Sequence, residues 1–320
     1  MLLPVFNGRE YLRPAVVSVL TQEKVTLELL VIDDGSNDDS LAVLESIQDR
    51  RMRTCRQANR GLAATLNRGI ELASSKYIAR QDQDDLVLPG RLARQVGYLE
   101  DNPDCAMVGT WSHILVGNEV TTRGHHYPIS HEALCLELLF DNPFVHSSVM
   151  FRTAVVSELG GYCEDRSRQP PEDYELWSRM ARKYRLANIP AVLTGYRDVP
   201  GSMSRSGKSP FLGNLIRISG ENLAAALSSR ATSDDCLALA AMYHEQAGGA
   251  KGKRISLRKA LKLHRQAAEV LGGNMTQWSE EFARTFHRQR ARIISRVFLK
   301  YLPDKLLRRI WRFRESRFGF

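Results

Sequence analysis

Cysteine is scarce in this chain. Cys55, Cys105, Cys135, Cys163 and Cys236 are scattered over 320 residues. Their number is odd and no two have metal-ligand spacing, so neither a disulfide framework nor a zinc module is expected, which fits a reducing compartment. No run of about 18 apolar residues exists, which excludes a helix that spans a membrane. The start, Met1-Leu2-Leu3-Pro4, lacks the basic stretch and apolar core of a secretory leader. A cytoplasmic location is expected. Strand patterns are missing after about residue 208, and excess charge is missing before Arg284.

What is present is ordinary globular composition, 43% hydrophobic and 25% charged, with a net charge of +9. From Arg284 onward twelve cations face two acids, so the rest of the chain carries about one excess negative charge. Basicity is therefore a property of one segment, and a general affinity for nucleic acid is not expected.

The pattern from the start alternates. Leu2 to Phe6 is a short apolar run closed by Asn7-Gly8, and helical spacing follows through Tyr11, Ala15 and Val19. Leu27 to Ile32 reads as a strand buried on both faces, ending at Asp33-Asp34-Gly35-Ser36. A helix through Leu44 and Ile47, a strand near Met52 to Gln57 and a helix over Leu62 to Ala73 come next. Tyr77-Ile78-Ala79 is a strand that stops in Asp82-Gln83-Asp84-Asp85. Strand and helix alternate three times, the pattern of a mostly parallel α/β sheet, whose ligands bind at the carboxyl ends of strands. Two such ends carry paired acids, Asp33-Asp34 and Asp82 with Asp84. Alternation puts Asp82 and Asp84 on one side of an extended segment. Two adjacent carboxylates repel, so a cation between them is expected, and a hard divalent ion holding a diphosphate is the natural candidate.

Further on, Ala106 to Val116 reads as a longer strand. His125, His126 and His131 lie in a polar connection too loosely spaced for a metal set. Glu132 to Phe140 reads as a helix, Val145 to Arg152 as a turn running into a strand. Glu172 and Asp173 open a helix after Pro170-Pro171. Leu186 to Tyr196, with Pro190 inside, suits an edge strand. From Pro210 only helical stretches follow. The expected domains are 1–208 and a helical extension, 209–320. Its last part, 284–320, interleaves arginines with Ile293, Phe298, Trp311 and Phe313, a stripe suited to an anionic membrane surface or to packing on protein.

Six ordered motifs carry a resemblance over about residues 2 to 205: Leu3-Pro4-Val5-Phe6-Asn7-Gly8, Ile32-Asp33-Asp34-Gly35-Ser36, Asn59-Arg60-Gly61-Leu62-Ala63, Asp82-Gln83-Asp84-Asp85, Gly160-Gly161-Tyr162 and Glu172-Asp173-Tyr174-Glu175-Leu176-Trp177. In these the chain resembles the inverting glycosyltransferases of family two, with the GT-A nucleotide-sugar fold. The resemblance implies a Rossmann-like mixed sheet flanked by helices. It places Pro4, Phe6, Asn7, Asp33, Asp34 and Arg60 at the donor, Asp34 on uracil, Asp82 near ribose and metal, Asp84 on Mn2+ or Mg2+, and Asp173 as catalytic base. It implies transfer of one sugar from a nucleotide diphosphate sugar, a UDP-sugar foremost, to a glycan or lipid-linked acceptor in cell-surface polysaccharide or glycoconjugate synthesis. A peripheral position on the inner face of the plasma membrane follows from such acceptors and the basic tail.

The chain departs from the family pattern in three places. Only Met1-Leu2-Leu3 precede Pro4, so either the true start lies upstream or the first strand is short. Val199 stands where the family often has a histidine, and His146 is a candidate substitute, with a core histidine the plainer reading. The Gln-x-x-Arg-Trp motif of processive members is absent after Asp173. The competing class is an inactive GT-A scaffold or membrane-surface binding protein. Retention of both Asp84 and Asp173 argues against it.

Overall fold

The computed structural model describes residues 1–199, 211–244 and 255–298. In chain order the elements are β1 (Leu2–Val5), α1 (Arg9–Leu20), β2 (Leu29–Asp33), α2 (Ser40–Glu45), β3 (Met52–Arg56), α3 (Leu62–Leu72), β4 (Tyr77–Ala79), β5 (Leu86–Val87), α4 (Arg91–Asp101), β6 (Cys105–Val116), β7 (Glu119–His125), α5 (His131–Glu137), β8 (Met150–Arg152), α6 (Thr153–Glu158), α7 (Glu172–Ala181) and β9 (Arg185–Arg197). Then come α8 (Phe211–Leu227), α9 (Ser233–His244), α10 (Leu257–Gly272) and α11 (Glu280–Phe298).

The described residues fall into two compact units, 1–129 with 144–199, and 130–143 with 211–298. In the first unit β1, β2 and β3 are parallel, in the order β1-β2-β3. All five residues of β2 are buried, as its continuous apolar run requires. Leu12, Val16 and Val19 of α1 pack on Leu3, Val5, Leu29 and Val31. A second sheet runs β4-β8-β6-β9-β5, with β7 on β6. A parallel bridge from Leu2 to Arg80 joins the two. Parallel pairing holds for β1–β3 and for β6 with β9, whereas β4–β8, β6–β8, β6–β7 and β5–β9 are antiparallel. The short turn Gly117-Asn118 between β6 and β7 permits only the antiparallel arrangement.

Two expectations are corrected here. The connection holding His125 is in part a strand, β7. β9 is an inner strand between β6 and β5 rather than an edge. Pro190 is tolerated because it falls in a register shift, between the pairs Thr110–Ile189 and Trp111–Val192. β5 pairs only with Thr194 and Gly195, so no ladder bond is lost on that side.

The second unit is helical. Its core joins Leu223 and Leu227 of α8, Leu239 and Tyr243 of α9, Leu263 and Ala267 of α10, and Phe282, Phe286 and Ile293 of α11. Ala133, Leu136, Leu139 and Phe140 lie in the same core. Residues 130–143, expected in the first domain, therefore belong to the helical unit. Polar bonds fasten them as well. Glu281 accepts from the Ser130 amide at 3.1 Å and hydroxyl at 2.6 Å. Gln289 and Asn222 donate to the carbonyls of Leu136 and Leu138, at 2.8 and 2.6 Å, at the carboxyl end of α5. The apolar stripe of the basic tail is thus taken up by protein as far as Ile293, and residues 299–320 lie outside the described residues. Among the described residues no helix is long and apolar enough to cross a membrane.

Candidate active site

Three strand ends meet at one edge of the first unit. Beyond β4 the chain continues between two neighbours, with Arg80 N donating to Val149 O at 3.0 Å and Gln81 N to Leu2 O at 3.0 Å. It then turns out at Asp82. The loop after β1 is fastened to the loop after β2: Asn7 N donates to Ser36 Oγ at 3.0 Å, Gly8 N to Ser40 Oγ at 2.9 Å, and Asn37 N to Asn7 Oδ1 at 2.8 Å. The Gln83 amide ties the acidic loop to the same place. Its Oε1 accepts from Phe6 N at 2.9 Å and its Nε2 donates to Phe6 O at 3.2 Å. The Phe6 ring is left 44% exposed.

The two acids ending β2 are structural anchors. Asp33 is buried and accepts from Ser36 N at 3.1 Å, with Arg56 Nε 3.2 Å from its other oxygen but not aligned for a hydrogen bond. Asp34 accepts from Gln57 Nε2 at 2.6 Å, Arg60 N at 2.8 Å and Gly61 N at 2.9 Å. It therefore holds the turn that opens α3, where Gly61 has φ +91°. Arg60 enters through its backbone; its side chain is half-exposed, 3.6 Å from Glu164. Pro4 is buried inside β1.

The acids after β4 have unlike surroundings. Arg80, 1% exposed, pairs with Asp82 Oδ1. The Ser147 hydroxyl donates to Asp82 Oδ2 at 2.7 Å and accepts from Asp82 N at 3.0 Å. Burial works against ionising Asp82, but Arg80, His146 and Ser147 outweigh it and hold its carboxyl below the usual range. Asp85 is buried, with Oδ1 accepting from Arg197 N at 2.7 Å. Burial, then Asp82 and Asp84, push it well up. Asp84 is half-buried, and its carboxylate has no hydrogen bond or ion pair with the described residues. Burial, then repulsion by Asp82, raise it to about 6. The expected cation beside the acid pair is thus present as protein. Arg80 answers Asp82, while Arg91, buried on the Gln81 side chain and the carbonyls of Arg80 and Val149, and Arg197, which donates to Asp84 O at 2.7 Å, add two more guanidinium groups. Each oxygen of Asp82, expected near ribose and metal, already has one protein partner, Arg80 on Oδ1 and Ser147 on Oδ2. Among the described residues no three ligating side chains are grouped for a metal ion.

Glu172 and Asp173 lie in the first turn of α7. Glu172 is buried, and burial, then Asp173, raise it to about 7. Asp173 is half-buried and its Oδ1 accepts from Tyr174 N at 2.7 Å. The charges of Arg80 and Asp82 act on Glu172. Those of Arg80, Asp173, Glu172 and Asp82 all act on Tyr162, whose phenol burial pushes far up. The start of α7 and the end of β4 therefore share one electrostatic environment. Gly160-Gly161-Tyr162 explains how. Both glycines have positive φ, and a Cβ on Gly161 would collide with Asn67 Oδ1. Asn67 exchanges two bonds with the Tyr162 backbone, at 2.8 and 2.9 Å. Arg179, paired with Glu175, donates to the carbonyls of Leu159 and Gly161 at 2.6 and 2.7 Å and ties this turn to α7. Tyr162 then reaches His146 Nε2 at 2.9 Å.

His146 stands edge-on to Trp177 and bonds the Tyr162 hydroxyl, the surroundings of a core histidine. His125 stacks on Tyr127, and His126 meets Trp111 edge-on. Phe6, Asn7, Asp34, Asp82 and Asp84 lie along this edge, and Asp173 shares their electrostatic environment through Tyr162. Arg80, Ser147, Gln83, Gln57 and Arg197 were missed. Arg80 alone carried a signal, a cation directly after an apolar strand and just before three acids.

A parallel β1-β2-β3 sheet with acids gathered beyond its strand ends places a ligand site at those carboxyl ends. The profile of Glycosyl transferase family 2 matches residues 1–160, and the chain belongs to that family. An uncharacterized glycosyltransferase of Haemophilus influenzae is 33% identical over 203 residues, 60% of this chain but only 62% of that protein. The O-antigen biosynthesis glycosyltransferase WbnJ of Escherichia coli is 29% identical over 205 residues, covering 62% of this chain and 78% of WbnJ. The fold is shared with S. aureus TarS 1-349, solved in complex with UDP-GlcNAc, at a TM-score of 0.61 and 15% identity, over 92% of this chain and 88% of that one.

Proposed function

We propose that this chain transfers one sugar from a nucleotide diphosphate sugar, a UDP-sugar, to a hydroxyl of a glycan or lipid-linked acceptor in cell-surface polysaccharide synthesis, with inversion at the anomeric carbon. Asp84 carries the reading: it is a half-buried carboxylate without a partner among the described residues, in a cluster whose other acids are engaged. One carboxylate suits a divalent ion that takes its other oxygens from phosphates and water. Asp84 would hold Mn2+ or Mg2+, which would supply positive charge to the leaving diphosphate. Phe6 and Asn7 border the nucleobase, and Asp34 sets the loop that faces it. Asp173 takes the proton of the acceptor hydroxyl as its oxygen bonds to the anomeric carbon. The bond to the diphosphate breaks on the opposite face, so an α-linked donor yields a β-linked product. WbnJ, an O-antigen biosynthesis enzyme, supports the polysaccharide context. Attachment to an anionic bilayer is carried in this reading by residues 299–320, where seven cations face two acids.

The test is UDP binding by calorimetry with and without Mn2+. Wild type is expected to bind UDP in a Mn2+-dependent manner and Asp84→Ala to lose that dependence. An unchanged dependence in the variant refutes the role of Asp84.

A further inference from the structure

The buried guanidinium at the head of the acidic loop has a consequence for how the metal arrives. We propose that Arg80 keeps Asp82 out of metal coordination, so that the ligand-free protein does not hold the divalent ion and the ion enters only with the diphosphate of the nucleotide; this rests on the donor reading above. Arg80 is 1% exposed, and its Nη1 both pairs with Asp82 Oδ1 and lies 3.4 Å from Ser147 Oγ. Ser147 occupies Asp82 Oδ2. An ion at Asp82 would have to share Oδ1 with the Arg80 cation and Oδ2 with the Ser147 hydroxyl. Arg80 Nε and Nη2 are buried without hydrogen-bond partners among the described residues, so this cation has few partners other than the acids. An arginine keeps its charge at any working pH, and a fixed positive charge beside the site repels a bare divalent ion. Asp85 is turned inward onto Arg197 N. That leaves Asp84, and a single carboxylate is too few for a site made of protein alone. With a diphosphate supplying oxygens and negative charge, one carboxylate suffices.

The experiment titrates MnCl2 into the full chain, alone and with UDP, by calorimetry. Wild type is expected to show no saturable binding of Mn2+ alone and one site with UDP. Arg80→Met frees Asp82 beside Asp84 and is expected to tighten binding of Mn2+ alone by at least about tenfold. Circular dichroism reports whether this variant folds. Ser147→Ala retains the Arg80–Asp82 pair, opens only Asp82 Oδ2, and is expected to shift affinity in the same direction by less. Wild type binding Mn2+ alone as tightly as with UDP overturns the inference and leaves the donor reading intact, as does an unchanged affinity in both variants. Failure of UDP to bind under either condition overturns the donor reading, and the inference with it.

Discussion

Asp34→Asn separates a residue that touches a ligand from one that builds its pocket. The carboxylate is 4% exposed and accepts three hydrogen bonds, two on Oδ1 from Gln57 Nε2 and Arg60 N, one on Oδ2 from Gly61 N. The amide that costs least keeps its oxygen at Oδ1 and turns its NH2 toward Gly61 N, donor against donor. One charge-assisted bond is lost, about 1.5–3 kcal/mol. The negative charge at the start of α3 goes with it, about 0.3–1 kcal/mol. The sum is roughly 2–4 kcal/mol for the ligand-free protein, a large share of a typical stability of about 5–15 kcal/mol. A Tm lower by roughly 4–16 °C is expected for a unit of this size. Calorimetric unfolding without nucleotide measures it, and UDP titration measures the accompanying loss of affinity. Asp84→Asn is the control. Its carboxylate has no partner to lose and its removal relieves repulsion from Asp82, so ligand-free stability is expected to hold or rise. If Asp34→Asn unfolds within about 0.5 kcal/mol of wild type, the ordinary range for surface changes, while UDP binding is lost, the anchoring argument is wrong and Asp34 is a ligand contact only.

Asp173→Asn is expected to leave UDP affinity near normal and to lower the transfer rate by roughly 10²–10⁴, the range for a lost general base; substantial residual transfer points to Glu172 instead. Gly161→Ala adds about 1–2 kcal/mol for its left-handed backbone and displaces Asn67 from two bonds to Tyr162 at about 0.5–1.5 kcal/mol each, so urea unfolding is expected to show a loss of roughly 2–5 kcal/mol. His264 is fully buried on Phe286 with Gln289 as partner, and burial pushes it down to about 4. It stays neutral folded and charges on unfolding, so stability present above about 6.5 is lost as pH falls toward 4, by up to roughly 3 kcal/mol. His264→Gln is expected to flatten that part of the pH profile of unfolding.

Elements with local causes were legible in the sequence. The apolar run of β2, the stripe of α1 and the acids closing β2 and β4 are written in neighbouring residues, and the fold class follows from their alternation. What was hidden depends on partners far along the chain. Residues 130–143 show an amphipathic helix but not which core receives it; Asn222, Glu281 and Gln289 decide that from 84 to 153 positions away. Pro190 marks an irregular strand correctly, yet a bulge and an edge leave the same mark, and only the pairings of β6 and β5 distinguish them.

The same limit explains the charge at the site. Counted locally, Asp82, Asp84 and Asp85 make a net −3 that asks for a metal. Counted in space, Arg80, Arg91 and Arg197 lie among them, each buried. Burying a guanidinium without acids is prohibitive, and so is burying three carboxylates without cations; together they are tolerated. The arrangement divides the acids by role. Those bonded to arginine side chains or backbone amides are fixed parts of the fold, and removing either partner of the Arg80–Asp82 pair is costly. Asp84 is left over, its carboxyl raised to about 6 by burial and then by repulsion from Asp82, against which the charges of Arg80 and Arg197 are not enough. A ligand-free site held in that state gains from whatever brings positive charge to Asp84, and a diphosphate with its ion does so without disturbing the pairs beneath. The acidic motif is therefore read by its one unpaired member, and the strength of nucleotide binding should follow Asp84 and its neighbours' hold on their own partners more than the number of acids in the loop.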